Sequence, residues 1–342
     1  MKIVECTGSH RKIGETIGEA LRDEIRSHIA RFVVPENEAQ MRSIAYFAES
    51  TRKYIPQVFE QLEGTARGAG VAHDRILALN APLGSASPFW DQGCSNIVFS
   101  SGPDGPIWGK NNEGNSADME GRRPVCALKL YPDDGIPAIC FTFCGWLSGG
   151  DMINAEGVCT GHSSAGSRFA QSPYNVSALH WLYAGMLTVR SSGDLARHLT
   201  SVPLRGKGFS MVAVDRSGDM FSGELVCPLV QIREPVAGVH GMNCVNHYQL
   251  PSLKGIDMRT PEQLAYSIGR QAYLENAIEQ GDRSLAHMQS ILRHHGEYSI
   301  CRHRQSPDDA YTEYSMIGLP VAGRAYVLDG NPCQGSYTSI SF

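Results

Sequence analysis

The sequence predicts an α+β fold in which two antiparallel sheets are covered by helices. The first observation is a change of period: apolar residues recur every three or four positions through most of residues 1–93, and every second position from Cys94 onward. The second is that helical and strand-like stretches come in blocks rather than in strict alternation. The third is the absence of glycine motifs for dinucleotide or phosphate binding, which excludes the usual nucleotide-binding classes.

The N-terminal part of the chain, residues 1–93, reads as one short strand followed by helices and a loop. Pro56 is expected to kink or divide the second helix, because proline lacks a backbone donor and clashes with the preceding turn. Residues 81–93 are rich in Pro, Gly and Ser and therefore predict a loop. The predicted elements are the strand Lys2–Cys6 and helices over Ile13–Phe32, Glu36–Gly64 and His73–Asn80.

The C-terminal part, residues 94–342, alternates between groups of strands and groups of helices. Turns rich in Gly, Pro and Asp separate the strands, and Asp215–Gly218 fits a hairpin turn. The predicted strands are Ile97–Phe99, Ile107–Gly109, Val125–Tyr131, Ile136–Phe143, Gly157–Gly161, Phe209–Asp215, Met220–Glu224, Leu229–Arg233, Val239–Val245, Glu313–Leu319, Ala325–Leu328 and Tyr337–Ser341. The predicted helices cover 176–200, Thr260–Glu279 and Asp282–His295.

Composition limits the classes of function. With 342 residues, of which 42% are hydrophobic and 19% charged, the chain can bury a sizeable core. A net charge of −5 and only short basic clusters argue against a nucleic-acid partner. There is no run of 18 apolar residues and no apolar stretch after Met1–Glu5. We therefore expect no membrane span and no secretory signal, and we predict a cytoplasmic protein.

Ten cysteines are a high number for such a chain. A reducing cytoplasm argues against disulfides. Cys140 and Cys144 have the spacing of half a zinc site, but a second pair does not accompany them. We therefore predict no metal and no cofactor, and we interpret most of the cysteines as small core residues.

Cys94 stands out because a Gly/Pro/Ser-rich loop meets a strand at this residue. It could be one more core cysteine, but its neighbour Gly93 has no side chain to block attack on its carbonyl. If the thiol cleaved the bond before it, Cys94 would gain a free α-amine with a pKa of about 7.7–8.0. One residue would then supply both the nucleophile and a general base, and no separate histidine would be needed.

Short segments along nearly the whole chain, taken in order, resemble the isopenicillin N acyltransferase family. These segments are Gly8–Gly18, Pro56–Val71, Ile76–Asn80, Gly93–Ser95, Gly109–Glu113, Asn154–Gly157, Val245–Tyr248, Ile300–His303 and Gly330–Cys333. The resemblance implies the four-layer αββα sandwich of N-terminal-nucleophile hydrolases. It also implies a precursor that cuts itself between Gly93 and Cys94 into an α chain, 1–93, and a β chain, 94–342, which remain associated. The implied activity is hydrolysis or transfer of a linear acyl amide, with a small molecule as substrate.

The same resemblance implies roles for individual residues. Asn246 would donate a hydrogen bond to the oxyanion of the tetrahedral intermediate. Family members carry a second donor, an Asn, at the position of Ser163 or Ser164, and a backbone N–H could replace it in this chain. Lys110 and Glu113 stand 16 and 19 residues after Cys94, where bile-salt hydrolases are similar in carrying Arg and Asp.

A cation near the sulfur would favour the thiolate, and a carboxylate would hold the new α-amine. The alternative for Lys110 and Glu113 is a solvated pair beside a turn. Asn111 and Arg302 are further candidates for substrate binding, Arg302 as a fork for a carboxylate or as a structural ion pair. For Asn246 the alternative is an ordinary turn residue.

Three other functions remain open. The enzyme could transfer its acyl group to an amine, or take it from an acyl thioester. The chain could be a non-catalytic binding protein on the same fold. Finally, Gly161–Ala165 resembles the nucleophile elbow of a serine α/β-hydrolase with Ser163 as nucleophile, although no helix is predicted directly after it.

Overall fold

The computed structural model describes residues 1–32, 37–82, 93–114, 123–147, 149–303 and 310–342. The described helices are α1 (His10–Ala20), α2 (Arg22–Phe32), α3 (Glu38–Tyr54), α4 (Pro56–Ala69), α5 (His73–Asn80), α6 (Ala178–Met186), α7 (Ser192–Thr200), α8 (Pro261–Gln280) and α9 (Leu285–Leu292). The first strands are β1 (Lys2–Gly8), β2 (Ser95–Phe99), β3 (Ile107–Gly114), β4 (Val125–Pro132), β5 (Ala138–Phe143), β6 (Met152–Asn154), β7 (Val158–Ser164) and β8 (Val176–Ser177). The others are β9 (Leu204–Arg205), β10 (Phe209–Asp215), β11 (Met220–Leu225), β12 (Val230–Arg233), β13 (Gly241–Cys244), β14 (Tyr311–Leu319), β15 (Arg324–Asp329) and β16 (Thr338–Ser341).

Two large sheets form the centre of the protein. One has eight strands in the order β1-β4-β5-β6-β7-β10-β11-β12, and the other has six in the order β13-β2-β3-β14-β15-β16. The six-stranded sheet is antiparallel throughout. The eight-stranded sheet departs from the predicted antiparallel pairing at one edge, because β1 runs parallel to β4. Parallel neighbours need a long crossover, and the helices α1–α5 lie within it.

Three apolar clusters separate four layers. The first packs α1–α7 on the outer face of the eight-stranded sheet, the second fills the space between the sheets, and the third packs α8 and α9 on the six-stranded sheet. The predicted α+β class and the four-layer αββα order are confirmed. In the described ranges, every helix is too short or too polar to cross a bilayer.

Glycine and proline determine how the N-terminal helices pack. A Cβ on Gly14 would lie 2.1 Å from the carbonyl oxygen of Gln61, and one on Gly64 would lie 2.1 Å from that of Arg11, so α1 and α4 approach backbone to backbone. Pro56 occupies the first turn of α4, where its missing N–H costs nothing. The predicted long helix is therefore divided here rather than kinked.

Most predicted elements are present with shifted ends. The first predicted helix is two helices, α1 and α2, which meet at Leu21. The predicted helix over 176–200 is likewise α6 and α7 preceded by the short strand β8. The short strands β6 and β9 were not predicted, because two or three residues carry no measurable period. Most of the predicted loop 81–93 lies outside the described residues.

Strand β3 carries side chains to two different layers. Lys110 and Asn112 lie on the face that meets the eight-stranded sheet, where Lys110 reaches Asp151. Asn111 lies on the opposite face and donates to carbonyl groups at the end of α9 and at Ile300. This alternation is the ordinary period of a strand, and it separates the candidate site residues into two groups.

Candidate active site

Cys94 lies directly before β2, where its side chain is only 3% exposed and forms part of the wall of a cavity of about 210 Å³. Its backbone continues into a fully buried central strand, which holds it rigidly. The cavity wall combines apolar side chains, including Phe143, Trp146 and Phe209, with polar and charged ones, including Arg123, His162, Arg205 and Lys207. A nucleophile on a rigid strand facing a small, mostly apolar cavity is suited to hold an acyl group.

A chain of hydrogen bonds orients the thiol. Cys94 Sγ donates to Asn112 Oδ1 at 3.6 Å, and Asn112 Nδ2 donates to Glu313 Oε2 at 3.0 Å. Arg123 Nε in turn donates to Glu313 Oε1 at 3.1 Å. The carboxylate fixes which end of the Asn112 amide faces the sulfur, so an acceptor points at the thiol. This arrangement favours the protonated form of Cys94 in the uncut chain.

Burial raises the pKa of the Cys94 thiol above its ordinary value. Lys110 opposes this rise, as the sequence analysis expects, but Glu113 adds to it. The predicted activation of the sulfur by Lys110 is therefore outweighed by burial. The thiol of the uncut chain needs a base before it can attack, because the thiolate is the nucleophile.

Lys110 belongs to a closed ion pair. Its Nζ donates to both carboxylate oxygens of Asp151, at 2.7 and 2.8 Å, and Tyr314 also donates to Asp151 Oδ2, at 2.5 Å. Burial alone would raise the pKa of Asp151, but Lys110 and His162 hold it below its ordinary value. The pair is thus charged and buried, so Lys110 is a matched cation rather than a solvated one.

The other side of the Gly93–Cys94 bond faces two arginines. A Cβ on Gly93 would lie 2.7 Å from Arg302 Nη1 and 3.4 Å from Arg270 Nη2. Arg270 Nη1 donates to the carbonyl of Cys94 and to Ser95 Oγ, both at 2.9 Å. We call this region, formed by Arg270, Arg302 and Glu113, the arginine side of the bond. We call the opposite region, which holds the sulfur and the cavity, the cavity side.

Glu113 lies on the arginine side, fully buried. Ser95 pairs with Asn111, and continuing that register places Gly93 opposite Glu113. Thr312 Oγ1 donates to Glu113 Oε1 at 3.2 Å, whereas Oε2 has no hydrogen-bond partner among the described residues. Burial raises the pKa of Glu113 to about 8, although Arg270, Arg302 and Lys110 oppose the rise. A carboxyl group with a pKa near neutrality can both release and accept a proton.

Asn246 and Ser164 meet next to Gly93. Asn246 Nδ2 donates to the Ser164 carbonyl at 2.8 Å, and Asn246 Oδ1 accepts from Arg270. The same Oδ1 lies 3.5 Å from the position of a Cβ on Gly93. Ser164 is also among the residues that form the cavity wall. The structure therefore brings Asn246 and Ser164 to the bond, as the sequence analysis expects.

Ser163 lies elsewhere. Its hydroxyl accepts from Asn96 Nδ2 at 2.8 Å between the sheets, and in β7 it pairs with Ser210 of β10. No helix follows β7 directly; the chain continues to β8 and only then to α6. A nucleophile elbow needs a sharp strand-to-helix turn, so the serine α/β-hydrolase interpretation does not fit this structure.

Asn111 and Arg302, like Ser163, are predicted substrate-binding residues that are not among the described residues that form the cavity wall. Asn111 donates to the carbonyls of Leu292 and Ile300, which makes it a support for the end of α9. Arg302 lies over the ring of Tyr266, 4.9 Å from its centre, and against Gly93. This placement favours contact with the backbone at Gly93 over a fork for a substrate carboxylate.

Several site residues were missed in the sequence. Asn112 could have been found, because it shares the strand face of Lys110. Asp151 and Arg270 carry no such signal, since only the folded chain brings them to Lys110 and Cys94. Lys207 forms part of the cavity wall, and burial lowers its pKa to about 8.

The Asn-x-x-Gly segment is structural: Asn154 Nδ2 donates to the carbonyls of Met186 and Val189.

A scan against protein-family models finds no match, and a search of curated proteins finds none either. The chain is similar in structure to the conjugated bile acid hydrolase of Clostridium perfringens, with 9% identity over 73% of this chain and 97% of that chain, at a TM-score of 0.45. It is also similar to a Caenorhabditis elegans ortholog of N-acylethanolamine-hydrolyzing acid amidase, with 9% identity over 66% and 93% of the two chains, at a TM-score of 0.44. A penicillin V acylase from Agrobacterium tumefaciens matches with 11% identity over 69% and 83%, at 0.44. Scores this low carry no argument about function, which has to come from the site itself.

Proposed function

We propose that the protein is a self-processing N-terminal cysteine amidohydrolase that cleaves linear acyl amides through a thioester on Cys94. The observation that carries the proposal is the position of the Gly93–Cys94 bond. The sulfur on one side faces an apolar cavity, while the glycine on the other side lies against Arg270, Arg302 and Asn246. Nucleophile, acyl pocket and hydrogen-bond donors thus meet at one peptide bond.

The first reaction is the cut itself. Cys94 Sγ gives its proton to water and attacks the carbonyl carbon of Gly93, the C–N bond breaks, and the nitrogen of Cys94 takes a proton from Glu113 to become an amine; Glu113 then regains a proton from water. Water then opens the Gly93 thioester, giving a carboxylate on Gly93 and restoring the thiol. Glu113, with a pKa of about 8 and a free carboxyl oxygen, is the group we assign to protonate the leaving nitrogen.

The second reaction is turnover of a substrate. The new α-amine, with a pKa of about 7.7–8.0, takes the thiol proton, and the thiolate attacks the substrate carbonyl. We assign Asn246 Nδ2, which lies beside the carbonyl of Ser164, as the donor to the oxyanion. The amine product leaves with the proton, and water hydrolyses the acyl thioester. No cofactor takes part in this scheme.

The cavity supports an apolar acyl group as the part of the substrate held next to the sulfur. Phe143, Trp146 and Phe209 contribute rings to its wall, and its volume of about 210 Å³ limits the group's size. Arg123, Arg205 and Lys207 supply cations to the same wall. A small acyl chain bearing a polar or anionic end is the substrate class that fits these walls.

The contacts of β1 support continued association of the two chains after cleavage. β1 pairs along its whole length with β4, from Lys2 opposite Cys126 to Gly8 opposite Pro132. α1 and α4 pack in the same apolar cluster as the strands of the eight-stranded sheet. A cut after Gly93 breaks none of these contacts, so we expect the 1–93 segment to remain bound.

Trapping the thioester tests this function. Purified protein is mixed with a series of chromogenic acyl amides, quenched in acid, and weighed as intact chains. We expect the 94–342 fragment to gain the mass of the acyl group while the amine is released. The Ser163→Ala and Cys6→Ala variants should behave like the wild type, because both residues lie outside the cavity wall.

The same assay with added amine acceptors separates hydrolysis from acyl transfer. Hydrolysis is contradicted if acceptors convert most of the acyl product from free acid to acyl amine at unchanged turnover. Absence of both adduct and product with every acyl amide would favour a non-catalytic binding protein instead.

A further inference from the structure

A cluster of two histidines and two cysteines lies on the outer edge of the six-stranded sheet, away from the cavity. His295 follows α9, Cys301 and His303 lie on the segment before β14, and Cys333 lies in the turn after β15. One ligand atom from each of the four residues lies within 4.8 Å of all the others. Four soft or borderline ligands converging from three segments are the ordinary donor set of a metal site.

Three of the six separations within the cluster are close to those around a tetrahedral ion, and the three to His295 are at most 4.8 Å. Cys301 Sγ lies 3.6 Å from Cys333 Sγ and 3.9 Å from His303 Nε2, and His303 Nε2 lies 3.0 Å from Cys333 Sγ. Zinc bonds of about 2.3 Å to sulfur and 2.0–2.1 Å to nitrogen place tetrahedral ligand atoms roughly 3.3–3.8 Å apart. Side-chain shifts of a few tenths of an ångström would therefore bring these three pairs of ligand atoms to the separations of a tetrahedral zinc site.

The surrounding hydrogen bonds hold the segments in place. Asn331 Nδ2 donates to the carbonyl of Arg302 at 2.6 Å and to Cys301 Sγ at 3.7 Å. Arg293 Nε donates to the carbonyl of Pro332 at 2.9 Å, next to Cys333. Supporting donors of this kind orient the ligands of a metal and stabilise a coordinating thiolate.

We propose that His295, Cys301, His303 and Cys333 bind one zinc ion. Two thiolates and two imidazoles favour zinc over calcium or magnesium, which prefer oxygen ligands. Because the protein supplies four ligands and no position stays open, the site is structural rather than catalytic. Cys301 is buried while His295 and Cys333 are exposed, so the ion can enter from solvent. Binding releases the two thiol protons.

The site would act on the candidate active site through one residue. Arg302 lies between two of the ligands, Cys301 and His303, and its guanidinium group lies against Gly93. A bound ion would therefore fix the segment that carries Arg302, which makes zinc a positioning element for the arginine side. Zinc binding itself does not depend on whether Cys94 is a nucleophile.

Metal analysis of the full chain tests the site. Protein purified without chelator, then dialysed against zinc and against buffer, should retain about one zinc per chain by inductively coupled plasma mass spectrometry. The Cys333→Ser and His303→Gln variants should retain less than roughly a tenth of an equivalent, with circular dichroism used to confirm that they fold. His240→Gln, an exposed histidine outside the cluster, is the matched control and should keep the full amount.

Replacement with cobalt gives an independent readout. Co²⁺ bound to the wild type should show the visible bands of a tetrahedral ion with thiolate ligands, and Cys333→Ser should lose part of them. Wild type that holds no zinc after dialysis would overturn the proposal. So would a Cys301–Cys333 disulfide in the native protein, detected as a mass two hydrogens lower without reductant, or full zinc content in both variants.

Discussion

The two sides of the Gly93–Cys94 bond differ in how their charges are arranged. On the cavity side the ion pair of Lys110 and Asp151 is closed, and Tyr314 completes it. On the arginine side Glu113 is buried beside Arg270 and Arg302, and one of its oxygens has no hydrogen-bond partner within the part of the chain that the structure describes. The proposed function assigns different tasks to the two sides. In that proposal the cavity side holds the sulfur and the acyl group, and the arginine side gives a proton to the leaving nitrogen.

Of the substitutions considered, one in the closed ion pair of Lys110 and Asp151 should change the free energy of unfolding most. Asp151→Asn leaves the Lys110 ammonium buried without a counter-charge, so the free energy of unfolding should fall by about 3–5 kcal/mol. Chemical denaturation measures the change. The double variant Lys110→Met with Asp151→Asn removes both charges and should recover most of the loss. A single-variant loss under about 1 kcal/mol would mean that the two sides do not differ as described.

Glu113 on the arginine side should make stability depend on pH near neutrality, where Asp151 stays ionised because its pKa is lowered. Its folded pKa of about 8 exceeds the unfolded value of about 4.3, so between these pH values the folded state holds a proton that the unfolded state has lost. The stabilising contribution of Glu113 is fully present below about pH 4.3 and is lost as pH rises through about 8. Because Gln does not titrate, the Glu113→Gln variant should not show this loss of stability as pH rises.

The measurement compares unfolding free energies at several pH values. From pH 6 to 7.5 the Glu113→Gln variant should gain about 2 kcal/mol relative to wild type. Glu297→Gln, at an exposed carboxylate, should show no such gain. A constant difference between Glu113→Gln and wild type across this range would contradict the raised pKa.

Gly93 should show a smaller effect, confined to the cut. Gly93→Ala places a methyl group 2.7 Å from Arg302 Nη1, so the arginine has to move from the scissile bond. Crowding of this kind costs about 1–2 kcal/mol, which slows self-cleavage roughly tenfold. The rate is followed by gel analysis after synthesis. Gly193→Ala, whose Cβ would have 3.7 Å to its nearest neighbour, is the control, and an unchanged rate for Gly93→Ala would remove Arg302 from the bond.

The apolar period was enough to predict most helices and strands, because it depends on local order, whereas the four-layer order came from the family resemblance. Pro56 was expected to kink or divide a helix and lies at the start of α4, and the helix predicted near His73–Asn80 is α5. The parallel pairing of β1 with β4 was not predictable, because the residues Lys2–Gly8 contain no pattern that identifies the partner strand. Pairing partners are decided by tertiary packing rather than by propensity.

The residues of the candidate site also fall into two groups: those found from the sequence and those that only the folded chain brings together. Cys94, Glu113 and Asn246 were found through their place in ordered segments, and strand parity could have added Asn112. Asp151, Arg270 and Lys207 come from distant elements and meet the site only in the folded chain. The cluster around Cys333 was missed for the same reason, because 30 residues separate it from His303. Cys140 and Cys144, the pair suggested by spacing, are buried core cysteines instead.

The most direct test of the central claim is the intact mass of freshly purified wild type beside Cys94→Ala. The account predicts that wild type separates under denaturing conditions into chains 1–93 and 94–342, with Cys94 at the new N-terminus, while Cys94→Ala remains one chain of 342 residues. A wild type that stays whole yet hydrolyses acyl amides at full rate would contradict it. Cleavage of Cys94→Ala at the same bond would do so equally.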